Sequence, residues 1–188
     1  MGNTGRERLA VYFAALGLSV LVATGSSLAQ QEVAEAPFGD KVSERIPFYH
    51  RAAPTIATAG PLGRLGIIEA KGVGFRSVVS LGPRTTAAGL DDASMAAYAN
   101  LVYFSVPLAG DIPTPEEVGR LRQIVEAPEN GPILIYGMDR DQAAASWALL
   151  RGETGVPPGL ALQEGVTAGL RSRLAPVAER LGVGPSKR

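Results

Sequence analysis

Three short apolar runs constrain this chain more than any other feature: Phe75–Leu81, Leu101–Val106 and Pro132–Tyr136. Each has the length of a strand and is rich in β-branched and aromatic side chains, and the first ends at a Gly82-Pro83 turn. A shorter run, Thr55–Thr58, predicts a further strand. The segments between them carry helical spacing. Leu62, Leu65 and Ile68 predict the apolar face of one helix, closing at Lys71-Gly72. Residues 90–100 predict a second. Thr114-Pro115-Glu116-Glu117 combines a capping hydroxyl, a first-turn proline and a glutamate three residues on, so it marks a helix start, and Val118, Leu121, Ile124 and Val125 share the face that follows. An alanine-rich helix is expected over 143–150, and two more between Leu160 and Leu181, interrupted at Pro176. Strands that alternate with helices across crossovers this long give α/β architecture, with a mainly parallel sheet of about four or five strands flanked by helices.

The 188 residues suit one such domain. Apolar residues make up 46%, enough for a core, while 18 basic and 18 acidic residues cancel, which leaves no electrostatic basis for nucleic-acid binding. The N-terminus stands apart. Arg6 and Arg8 precede an apolar run from Leu9 to Ala23, and small residues at Ser27 and Ala29 fit a signal-peptidase site. This three-part pattern predicts a secretory signal over 1–29, a flexible lead-in over 30–45, a folded domain over 46–182 and a short tail over 183–188. The expected destination is the periplasm if the cell is Gram-negative; otherwise the protein is secreted, or anchored at its N-terminus if the signal stays uncleaved. The run is shorter than the roughly 20 residues that span a bilayer, so no membrane span is expected after cleavage.

Ligands of such sheets sit beyond the carboxyl ends of the strands. The most apolar run, Pro132–Tyr136, predicts the central strand, and Gly137-Met138-Asp139-Arg140-Asp141-Gln142 follows it into a helix. A tight loop at a helix N-terminus can cradle an anion with its backbone N–H groups. The order and spacing of several stretches resemble the bacterial dual-specificity and tyrosine phosphatase-like proteins, including the group related to the beta-lactamase-hydrolase-like phosphatases. Those stretches are Phe48–Arg51, Ala57–Pro61, Gly72–Leu81, Tyr103–Leu108, Thr114–Val118 and Gly131–Ile135 up to Leu149. The resemblance spans roughly 46–170. It implies a His-Cys pair at the end of the strand, a glycine-containing loop and an arginine opening the helix. The thiolate would attack phosphorus, the arginine fork would hold two phosphate oxygens, and an aspartate on another loop would protonate the leaving group.

The chain has no cysteine anywhere. On the family's pattern Tyr136 stands at the histidine, Gly137 at the cysteine and Arg140 at the loop glycine, while the arginine falls on Gln142 or Ala143. Both nucleophile and clamp are missing, and Asp139 and Asp141 set two carboxylates where an anion would sit. The resemblance thus implies the fold and argues against the activity, so a pseudophosphatase is expected, acting by binding a protein or a small anionic ligand, or by structure alone. Asp111 would be a vestigial general acid, and Arg140 the one cation offered to an anionic ligand. His50, the only histidine, is expected to cap or pack near the loop, and Trp147 to fill the core beneath it. One histidine cannot build a multi-histidine metal site, Gly72-Val73-Gly74 precedes a strand and is no dinucleotide fingerprint, and no cofactor is expected. The alternative is a hydrolase that reuses the cleft through Asp111, Asp139, Asp141 and His50, with water or a metal supplying the nucleophile. A third reading places an apolar interaction patch around Met138 and the stretch from Leu160 to Leu170.

Overall fold

The computed structural model describes residues 44–82 and 92–184. The expected signal 1–29, most of the lead-in, Leu90, Asp91 and the last four residues of the tail lie outside the described residues. The described chain runs β1 (His50–Ala53), β2 (Ile56–Ala59), α1 (Arg64–Val73), β3 (Ser77–Ser80), α2 (Asp92–Tyr98), β4 (Val102–Ser105), α3 (Pro115–Glu126), β5 (Ile133–Tyr136), α4 (Arg140–Glu153), α5 (Pro158–Ala168) and α6 (Leu174–Arg180). The five strands form one sheet in the order β1-β2-β5-β3-β4, parallel except for the antiparallel edge strand β1.

β5 lies at the centre, as its composition predicts. Ile133, Leu134 and Ile135 are each at most 1% exposed, and each contributes about 2 kcal/mol by leaving water. Their alternation feeds two cores. Ile133 and Ile135 join Val79, Val106, Leu121 and the apolar side of α4. Leu134 and Tyr136 join Ala57, Ile67, Phe75, Val78 and Met95 on the α1–α2 side. The strand is buried on both faces, which is what a parallel sheet covered by helices requires.

Three local expectations are corrected. In α1 the buried residues are Gly66, Ile67 and Ala70, while Leu65 and Ile68 are exposed. The reason is a close backbone approach: a Cβ at Gly66 would come within 2.4 Å of the Arg45 carbonyl oxygen, so this glycine side of the helix faces inward. Leu62 is buried but precedes the helix. The helix also ends later than Gly72, at Gly74, whose left-handed φ of 107° suits a residue without a side chain. In the C-terminal stretch the break between the helices is Gly169, again left-handed at φ 118°, and Pro176 sits in the first turn of α6, where its missing N–H costs nothing. The start of α3 matches in detail: Glu117 N–H donates to Thr114 Oγ1 and Thr114 N–H to the Glu117 carboxylate.

Candidate functional site: the loop between β5 and α4

The loop that would bind an anion is shorter than the sequence suggested. Only Gly137, Met138 and Asp139 separate β5 from α4, so Arg140, Asp141 and Gln142 already lie in the first turn of the helix. Arg140 thus opens the helix, three residues ahead of the start expected at 143. The cause is a capping pattern that the sequence carries openly, Asp139-x-x-Gln142. Gln142 N–H donates to Asp139 Oδ1 at 2.7 Å, and Gln142 Oε1 accepts from Met138 N–H at 2.8 Å. Gly137 N–H is taken by the Ala59 carbonyl. Three backbone donors that a bound anion would need are therefore occupied by the chain itself. The turn also closes tightly on Gly137. A Cβ there would lie 2.9 Å from both the Asp139 carbonyl oxygen and Gln142 Oε1, so the position of the family's nucleophile has no room for a side chain.

Asp139 and Asp141 do not repel one another across an open loop. Both turn to Arg173, a residue that sequence reasoning missed. The Arg173 guanidinium forks onto Asp139 at 2.9 and 3.0 Å and stands 3.5 Å from Asp141 Oδ2. Asp141 in turn accepts from Arg171 N–H, Arg173 N–H and the Ser172 hydroxyl, so it ties the α5–α6 turn to α4. Burial opposes ionisation of Asp141, but the Ser172 hydroxyl and the turn's backbone N–H groups outweigh it and hold the carboxyl below its ordinary range. Arg173 lies 34 residues from Asp139. No motif spacing links them, and only the path of the chain through α5 brings them together.

Arg140 does not reach into the cleft. Its Nε makes a long hydrogen bond of 3.4 Å to the Ala168 carbonyl at the C-terminal end of α5, and its guanidinium lies 5.8 Å from the centre of the Phe48 ring. It crosses Gly169 so closely that a Cβ there would be 1.8 Å from its Nε. His50 is half-buried on β1, and burial, reinforced by the Arg140 charge, lowers its pKa. His50 lines a groove with Trp147, Leu160, Gln163 and Thr167. Trp147 is buried in the core on α4, with Arg151 over its ring.

Tyr136, at the end of β5, is buried and donates to Asp92 at 2.9 Å, and burial first of all pushes its phenol pKa far up. It is a structural donor, not an acid–base group for work near neutral pH. Asp111 is exposed in the loop before α3 and makes no hydrogen bond or ion pair among the described residues. Those residues hold no group of three or more His, Asp or Glu able to bind a metal. With Asp139 and Asp141 engaged by Arg173 and the turn, the cleft-reusing hydrolase is not favoured. The apolar patch is also revised: Met138 and Leu160 are 59% and 48% exposed, but Leu170 is fully buried. Met138 lies over Gly82, where a Cβ would meet its sulfur at 2.7 Å.

Solved structures share this arrangement of strands and helices. TpbA from P. aeruginosa superposes with a TM-score of 0.59 at 19% identity, over 81% of this chain and 93% of that one. A candidate phosphatase (DUF442) from Shewanella putrefaciens CN-32 gives 0.60 at 18%, over 73% and 92%. The core catalytic domain of the PP-IP phosphatase SIW14 from S. cerevisiae gives 0.57 at 12%, over 77% and 98%. The fold is that of the cysteine phosphatases. No family model matches the sequence, and no curated protein matches it. The shared fold places β5 and α4 as expected, with Gly137, Met138 and Asp139 connecting them. Among the described residues, no helix is long and apolar enough to cross a membrane.

Proposed function

We propose that this protein is a non-catalytic member of the cysteine-phosphatase fold, a pseudophosphatase that works by binding another protein or as a structural element. One observation carries the reading: the loop that should hold nucleophile and phosphate is closed on a glycine without room for a side chain, and three of its amides, those of Gly137, Met138 and Gln142, are taken by Ala59, Gln142 and Asp139. The absence of cysteine from the sequence agrees with it. A protein partner is favoured over a small anion because three of the loop's amides are already taken by the chain, whereas Phe48 and Met138 beside the loop leave apolar surface in water. Export follows as part of the proposal from the charged, apolar and small-residue pattern of 1–29; the full-length protein, tagged at its C-terminus, should shorten on maturation and leave the cytoplasm. Activity is tested on the purified domain with an aryl phosphate. Hydrolysis should not exceed background, and turnover that disappears in Asp111→Ala would refute the reading.

A further inference from the structure

Buried hydroxyls gather beneath α2, on the side of the sheet away from α4. Tyr136 of β5, Ser80 of β3 and Ser105 of β4 form one cross-strand row, because Ser80 is in register with both of the others. Tyr136, Val78 and Tyr103 belong to the α1–α2 core, and Ser80 and Ser105, each two residues on, share their side of the sheet. Asp92 at the start of α2 closes the row by accepting from Tyr136. Ser80 and Asp92 are 1% and 5% exposed. Burial is the largest cause of the raised Tyr136 pKa, after which the Ser80 hydroxyl pulls it down and the Tyr103 phenol pushes it up, so both groups stand close to it.

Three oxygens of this cluster, Ser80 Oγ, Tyr103 OH and Ser105 Oγ, are buried without a hydrogen-bond partner among the described residues. Native folds rarely leave such groups unsatisfied, and three together call for a shared partner. Adjacent strands lie about 4.8 Å apart, a gap that one oxygen atom bridges with two bonds of about 2.8 Å. The partner has to donate as well as accept, since each hydroxyl can do either. It is also small and uncharged or cationic, because the Asp92 carboxylate beside the row repels an anion. A buried water molecule makes about three hydrogen bonds of this kind. We propose that Ser80, Tyr103 and Ser105 hold an internal water molecule between β3 and β4, next to the Tyr136–Asp92 pair. The bound water ties the edge strand β4 to the anchored end of the central strand, and the half-buried Tyr103 and Ser105 give it a route to solvent. The site lies on the far side of β5 from α4 and does not rest on the non-catalytic reading.

Two measurements on the purified protein test the site. A high-resolution crystal structure should show a water molecule within about 3.2 Å of at least two of the three hydroxyl oxygens, and the Ser80→Ala/Ser105→Ala double variant should lose it. In solution, either alanine releases the same water, so the two changes should not be independent. The unfolding equilibrium constant of the double variant should differ at least about twofold from the product of the single effects. Tyr103→Phe, which removes one hydroxyl on the edge strand, replaces Ser105→Ala in the same cycle if that variant does not fold. Density in which the three hydroxyls bond only to protein groups overturns the proposal, and so do additive effects of the paired changes.

Discussion

The N-termini of α3 and α4 solve one problem in two ways. Both helices open with a short side chain that caps and a longer one, three residues on, that reaches back. At α3 the box is complete within Thr114–Glu117, with Glu117 buried and also accepting from Ala109 N–H at 2.8 Å. At α4 Asp139 caps the Gln142 N–H, Gln142 reaches one residue further back to the Met138 N–H, and a residue from the far end of the chain, Arg173, joins the cap. The first is a local device that any helix can use. The second ties the carboxyl end of the central strand to the last helices, beside a loop whose Met138 and Gln142 amides are already bonded within the chain. What distinguishes the two ends is thus tertiary contact, not capping chemistry.

The largest effects are expected where α4 has no counterpart in α3. Gly137→Cys sets a thiol where the resemblance places the nucleophile but forces a Cβ against Asp139 and Gln142, so it should cost about 2 kcal/mol by denaturant unfolding and give no aryl phosphate turnover. Recovery of activity by that single change would break the contrast. Arg173→Ala should cost about 1–2 kcal/mol, since it leaves Asp139 without its fork. A double-mutant cycle with Asp139→Ala should show coupling of at least about 0.5 kcal/mol. Thr114→Ala should cost about 1 kcal/mol and add independently to Arg173→Ala. Coupling between Thr114 and Arg173 would mean that the two caps are not separate.

The smallest effect is on acid stability. His50 has a lowered pKa in the folded state, so the unfolded chain takes up its proton first, and stability should begin to fall as pH drops below about 6.5. Asp141, also lowered, contributes stability that is present above its ordinary value of 3.8 and is lost as pH falls through the folded pKa. Thermal melts across pH should show two separate declines, and His50→Gln should remove only the upper one.

Much of this was legible in the sequence where the signal is local. The buried runs of β3 and β5, the strand run of the half-buried edge β4, the capping box of α3 and the missing cysteine are properties of contiguous residues. The phase of α1 was not, because it follows from the Arg45 backbone lying against Gly66. The early start of α4 could have been read from Asp139-x-x-Gln142, the same signature that succeeded at Thr114-x-x-Glu117, had the family's longer loop not set the frame. Arg173 could not, since its role exists only once α5 has folded back. Sequence alone locates the loop after β5; the fold shows which side chains close on it.

The most direct check of that closure is amide NMR of the parent protein in phosphate. Met138 and Gln142 N–H groups bound to Gln142 Oε1 and Asp139 should be protected from exchange and keep their shifts as phosphate is raised to tens of millimolar, about the range in which weak anion sites fill. Saturable phosphate-induced shifts at those two amides would contradict a loop closed by its own side chains.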